Sequence, residues 1–462
     1  MYIVRRVASK RSAARHNPQP PRSAAATLPA KQPLSRAAIA TAALGVAIAG
    51  SALLFDPRAE SSFDAPKRLI AILAIAVAAL AVLTTPDFAA PMQWRKRPRL
   101  QVIILGLAGC VLLGAILATF VSPRRAASFD ALRVALLFAV LLPLGASRLL
   151  DRARFATLLA VFIGASVVNA LVSIFQAAGF QPFSIESIAG RITSVGLIGN
   201  EGLLGLAMAI GVSASVPVAL RASSSPMRTA AWAATALMLI ALMNSRNVTG
   251  WIALVAGLMP LASETSMRRF MQTRRLAVAA TVLVVLLTAM LVSQARIRDL
   301  ISHGQAGNWD RLLSYRLGPW ASALEMTRER PLVGFGPGTF GAEFVPHRLA
   351  AEIRWSTRLV NPQLVSFYTR AHCDYLQAAA ELGIPAAVAA ASAIAALILG
   401  LARKVLDATG DLELEILIVM AMLLAGITSA LAWPVIEQPA LVTPLLLAAG
   451  RGWRLLDQEL RT

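Results

Sequence analysis

Residues 100–121 read LQVIILGLAGCVLLGAILATFV, 22 positions without an Asp, Glu, Lys or Arg. At 1.5 Å per helical residue that run reaches about 33 Å, enough to cross a hydrocarbon core of about 30 Å. One such run also suits a buried helix of a large soluble protein, so recurrence decides the fold. Comparable stretches lie at 37–55, 67–85, 131–147, 155–178, 197–219, 276–293, 374–400, 414–433 and 440–456, with a shorter pair at 230–243 and 249–262. The pattern predicts an all-α polytopic membrane helix bundle of about twelve transmembrane helices.

Composition agrees. Only 15% of the 462 residues are charged and 57% are hydrophobic, with a mean hydropathy of +0.65. A soluble chain carries about 25% charged residues. The net charge of +20 would suggest nucleic acid in a soluble protein. Here the excess sits mostly in short segments between apolar runs, where it sets topology, and no basic surface interleaved with aromatics appears, so nucleic acid is not an expected partner.

Residues 1–36 hold eight Lys and Arg and no acid, a composition that predicts a disordered basic arm. The run 37–55 exceeds a signal-peptide core and reads as a retained first span. With both ends cytoplasmic, 26 of the 44 Lys and Arg fall on the cytoplasmic side and 8 in short outer loops, the asymmetry that orients membrane proteins. The organisation predicted is a cytoplasmic arm (1–36), spans one to nine (37–293), a long, partly helical periplasmic loop (294–373), spans ten to twelve (374–456) and a cytoplasmic tail (457–462). Trp309, Tyr315, Trp320, Trp355 and Tyr368 in that loop argue for a folded cap over the bundle. Cys110 in mid-helix and Cys373 at a helix start do not suggest a disulfide, and no metal-ligand spacing occurs.

Four places carry polar groups suited to chemistry. Ala371-His372-Cys373-Asp374-Tyr375-Leu376-Gln377 runs into Glu381-Leu382-Gly383-Ile384-Pro385. Asp374, Gln377 and Glu381 share one helical face, while His372 falls nearly opposite unless it precedes the helix. Gly383 and Pro385 predict a break. Ionisable groups entering an apolar span are used or paired; a polar helix start whose acids cap amides is the alternative. Arg191, Arg246 and Arg316 lie on the outer side, against the topology rule. Their planar guanidinium groups suit bidentate capture of phosphate, and headgroup contact is the competing reading. Arg330 to Phe340 contains Gly334, Gly336 and Gly338 without a nucleotide-binding fingerprint, so a tight turn is expected there. Asn200 and Glu201 open the sixth span, either as an anion-binding helix start or as an ordinary N-cap.

In their order along the chain these pieces resemble the O-antigen ligase and polymerase family of bacterial membrane enzymes. Arg191 with Gly199-Asn200 resembles the family's Arg and Gly-Asn-Pro-Asn element, although Glu201-Gly202 replaces its second half. Ser245-Arg246 resembles its Ser-Arg element. Arg316, Trp320 and Arg330-Pro331 leading into Gly334–Phe340 resemble its loop signature. His372, Tyr375, Leu376, Gln377, Glu381, Gly383 and Ile384 resemble its His-Asn-x-x-Leu-Gln and Glu-x-Gly element, with Cys373 where Asn is common. The alignable portion is roughly 190–390.

The resemblance implies a membrane glycosyltransferase at the periplasmic face of the bacterial inner membrane. It would transfer or polymerise a glycan from an undecaprenyl-diphosphate-linked donor onto a sugar hydroxyl of a glycan or of lipid A–core. Membrane lipid surrounds it, and neither a cofactor nor a metal is implied. His372 would act as general base, its imidazole titrating near neutrality. Arg191, Arg246 and Arg316 would bind the diphosphate, with Asn200, Asp374, Gln377, Glu381, Gly334 and Gly336 in support. The resemblance leaves ligase and polymerase unseparated. A multi-span transporter or lipid-linked oligosaccharide flippase is the alternative; it calls for charges deep in several spans, whereas the polar groups here gather at one boundary. A non-catalytic scaffold is a third reading; activity surviving the loss of His372 would favour it or the transporter.

Overall fold

The computed structural model describes residues 35–56, 62–85, 98–181, 194–263, 315–356 and 367–457, with a few isolated positions besides. The basic arm up to residue 34, Arg191 and the apolar run 276–293 lie outside the described residues. Within them the fold is helical without strands. The helices are α1 (Arg36–Leu53), α2 (Asp64–Leu83), α3 (Arg99–Val121), α4 (Arg125–Ala139), α5 (Leu141–Ala146), α6 (Arg152–Ala177), α7 (Glu201–Arg221), α8 (Ser225–Asn244), α9 (Val248–Leu258), α10 (Leu317–Glu329), α11 (Phe340–Trp355), α12 (Asp374–Leu382), α13 (Ile384–Lys404), α14 (Gly410–Ser429) and α15 (Pro439–Leu455).

Among the described residues, nine helices are long and apolar enough to cross a membrane, α4 and α5 counting as one. The chain is a multi-pass membrane protein. Two further helices, α9 and α15, are shorter. The expected span 374–400 is divided at Gly383 into α12 and α13. Gly383 adopts φ +83°, and a Cβ there would lie 2.3 Å from the carbonyl oxygen of Leu332. Only glycine tolerates both conditions. Pro385 then starts α13 without an amide to donate.

The helices sort by burial. Protein surrounds 83% of the apolar window of α7 and 67% of that of α14, against 22% for α3, so α7 and α14 form the centre and α3 faces lipid. Close approach inside the bundle rests on small residues. Gly145 of α5 and Gly450 of α15 face each other's helix: a Cβ on Gly450 would come 2.1 Å from the oxygen of Leu142, and one on Gly145 would come 2.4 Å from the oxygen of Leu447.

The segment before α7 is irregular backbone inside the bundle, which a membrane protein tolerates only when protein groups satisfy it. Helix α6 supplies them. Asn169 Oδ1 accepts from the Leu197 amide at 2.9 Å, and Gln176 Oε1 accepts from the amides of Val195 and Gly196 at 2.9 and 2.8 Å. From α2, the buried Lys67 Nζ donates to the oxygens of Leu197 and Ile198 at 2.7 and 3.0 Å. Asn169 lies eight residues before the end of α6, about 12 Å along its axis at 1.5 Å per residue, so the backbone at Leu197 is held below that end.

Two glycine substitutions should act with opposite signs. Gly450→Ala forces α5 and α15 apart and should lower stability by about 1–3 kcal/mol. Gly164→Ala in α6, where a Cβ would meet nothing within 4 Å, should raise it by about 0.5–1 kcal/mol. Unfolding followed in detergent micelles checks both; equal signs would contradict the packing described.

Candidate functional site

Helix α12 organises the site. It is nine residues long, and its buried face is polar: Asp374, Gln377 and Glu381 are all at most 7% exposed. Each grips a different piece of backbone. Asp374 Oδ2 accepts from the amides of Val435 and Ile436 at 2.9 and 3.0 Å, while its own amide donates to Ala430 O at 2.9 Å. It thereby straps down the loop between α14 and α15. Gln377 Oε1 accepts from the Ala371 amide at 3.0 Å, and its Nε2 donates to Glu437 at 2.6 Å. Glu381 accepts from the Gly338 and Phe340 amides, both at 3.0 Å. Thr339, which precedes α11, makes no capping bond, so Glu381 caps the amino end of α11 from another helix.

The glycine-rich stretch 334–338 is a turn built for backbone contact. The amides of Phe335 and Gly336 donate to the oxygens of Ala380 and Glu381 at 3.0 and 2.8 Å, closing the carboxyl end of α12. Gly334 and Gly336 adopt φ +64° and +103°. A Cβ on Gly334 would strike the Glu381 carbonyl at 2.4 Å. Ser122 Oγ donates to Phe335 O at 2.6 Å, which ties the turn to the end of α3.

His372 stands just before α12, in the left-handed region at φ +54°. Its ring meets Tyr368 and Trp433 edge to face, at 5.7 and 6.0 Å between centroids. Its Nδ1 is buried without a partner. The other described histidine, His347, has Nδ1 2.7 Å from Glu343 O and Nε2 3.2 Å from Glu329, as a structural histidine should. The near-neutral titration expected of His372 does not hold: burial, then the cations Arg316 and Arg370, lower it to about 4. At neutral pH the ring is uncharged. The carboxyls shift the other way. Burial and Glu437 raise Asp374 to about 7 and Glu381 to about 8, against their amide donors.

Arg316 lies over the Trp433 ring, 5.0 Å from its centroid. Arg246 is exposed, in a turn between α8 and α9 at φ +52°. Ser245 and Asn247 beside it are buried, and Asn247 Nδ2 donates to Gly202 O at 2.6 Å. The Arg246 turn therefore docks on the first turn of α7. Asn200 is the N-cap of α7, accepting from the Leu203 amide at 3.1 Å. His372, Arg316 and the turn bearing Arg246 thus converge on one end of the bundle, around the start of α7; Arg191 is outside the described residues. Neither Asp374 nor Glu381 bonds to His372; both hold loops.

Among the described residues, four non-glycine positions have positive φ: Arg246, Tyr315, His372 and Ser356. Two are site residues and Tyr315 precedes Arg316. Strained backbone of this kind clusters at functional sites, and it marks these turns independently of any motif. Sequence reasoning missed several participants. Tyr368 donates to Tyr315 O at 2.8 Å while its ring faces His372. Arg370 bonds Glu437 at 2.5 Å and lies 3.6 Å from Asp64, which also pairs with Arg68. Trp433-Pro434 at the end of an apolar run was the local signal for Trp433, and Tyr368 was one of the aromatics that argued for a folded cap.

A family model described as O-Antigen ligase matches residues 233–391. The match holds Arg246, Arg316, the glycine-rich turn, His372 and α12. It omits the start of α7 and the loop 430–438, both of which complete the site. No curated protein matches the chain.

Removing the straps should destabilise selectively. Asp374→Ala and Glu381→Ala each leave one buried and one part-buried amide unpaired, at about 1–3 kcal/mol for the buried one. Asp374→Asn keeps an acceptor oxygen and should lie close to wild type. Thermal unfolding of the three variants decides this, and parity of Asp374→Ala with Asp374→Asn would refute it.

Proposed function

We propose that this chain, whose residues 233–391 match the O-antigen ligase family model, transfers a glycan from a polyprenyl diphosphate carrier to a sugar hydroxyl. The reaction takes place at the outer face of the bacterial inner membrane, with both termini cytoplasmic. The observation that carries the reading is a neutral imidazole, its Nδ1 buried without a hydrogen-bond partner, close to the guanidinium groups of Arg316 and Arg370.

In the reaction the acceptor oxygen attacks the anomeric carbon. The bond from that carbon to the phosphate oxygen breaks, and the lipid diphosphate leaves with the electron pair. His372 takes the hydroxyl proton. Arg316 and Arg246, joined by Arg191, stabilise the leaving anion. These cations supply the positive charge, so transfer runs without a divalent metal. Asp374, Gln377, Glu381 and the glycine turn hold the loops in register. The acceptor is a second glycan in a polymerase or lipid A–core in a ligase.

The depressed basicity of His372 fits a base that is completed by its substrate. A bare imidazole beside two cations is a weak proton acceptor. A diphosphate seated on Arg316 offsets part of that field and raises the proton affinity of the ring. The group accepts protons above its folded value of about 4. The acid limb of kcat/KM, which reports free enzyme, should therefore fall near pH 4, and that of kcat should lie at higher pH.

His372→Ala should abolish transfer in a membrane assay while the protein still inserts. Arg316→Lys and Arg246→Lys should each cost roughly 10²-fold or more through loss of fork geometry. Chelation of divalent metal should leave the rate unchanged. Normal glycan product from His372→Ala would sink the assignment of the base.

A further inference from the structure

We propose that Trp433 is a positioning residue of this site, one that fixes the Arg316 guanidinium and the His372 ring relative to the first turn of α7. The proposal rests on the transfer site described above, and its geometry stands on four contacts. Arg316 covers one region of the indole at 5.0 Å. His372 meets it at 84° with 6.0 Å between centroids. The six-membered edge presses on α7: a Cβ on Gly202 would fall 1.9 and 2.1 Å from two of its ring carbons. Below the ring, Asp374 holds the amides of Val435 and Ile436, and the Val435 amide also donates to Trp433 O at 3.0 Å.

One rigid plane thus touches the base, a phosphate-binding cation and the helix start beside the Arg246 turn. The indole Nε1 is buried without a hydrogen-bond partner. A buried tryptophan normally finds one, so this side chain is held for its faces and edges. Trp433 lies outside the matched residues 233–391. The last two helices therefore contribute to the site through the loop that joins them.

The test reads His372 directly, without glycan. Full-length protein carrying isotope-labelled histidine is titrated by NMR in detergent, with the His372→Asn spectrum identifying the resonance among the four histidines. Wild type should titrate near pH 4. Trp433→Leu removes the ring face beneath Arg316 and admits water beside the imidazole, so the His372 midpoint should rise by about one unit, a tenfold gain in proton affinity. Trp433→Phe keeps an aromatic face and should stay near wild type. If Trp433→Leu is not monodisperse, Trp433→Met takes its place with the same expectation.

A wild-type midpoint in the aliphatic variant overturns the proposal, as does an equal rise in Trp433→Phe. In transfer assays the aliphatic variant should lose kcat about 10-fold or more with a smaller change in KM, and Trp433→Phe should recover most of it. A chain inactive in every transfer assay would remove the functional reading while leaving the titration result intact.

Discussion

Backbone amides and carbonyls at the edge of a bilayer must be paired by protein or by water, and the irregular parts of this site are paired by side chains. Asp374 and Glu381 are the central case. They sit two turns apart on one face of a nine-residue helix and accept four amides from two distant loops. One loop brings Trp433 under Arg316 and against His372. The other brings the glycine-rich turn onto the carboxyl end of the same helix. Without these bonds each loop would leave buried polar backbone unsatisfied, at a cost large enough to favour another arrangement. A short polar helix thus serves as the frame that holds the loop bearing Trp433 and the glycine-rich turn.

The same logic governs the backbone that leads into α7. Its preceding segment is fed hydrogen bonds by Asn169, Gln176 and Lys67, and its first turn is then free to receive Asn247 and the edge of Trp433. Charged side chains of both signs gather around that start. Arg370 is paired with Glu437 and Asp64, and Arg316 rests on an indole face. The far end of the bundle differs. There Arg451 and Glu415 are buried in direct contact at 2.6 Å, and Arg152 joins them, an arrangement that closes on itself.

Periodicity and hydropathy alone determined that this is a multi-pass helical protein, because the hydrocarbon core imposes length and apolarity on every span. They also marked Gly383-Ile384-Pro385 as a break and the glycine-rich stretch as a tight turn, since those residues restrict their own backbone. The ordered set of short motifs indicated the family, and the match over 233–391 agrees. What local sequence could not supply was partnership across the fold. Asp374 bonds residues 61 and 62 positions away, and Lys67 bonds residues 130 and 131 positions away. The basicity of His372 was misjudged for the same reason, because its neighbours Arg316 and Arg370 and its burial arise only when separate segments meet. Tyr368, Arg370 and Trp433 carried no motif; packing alone gave them a role. Spans are written in local composition because the membrane acts on each one separately, whereas the site arises from desolvation and charge fields that depend on distance in space.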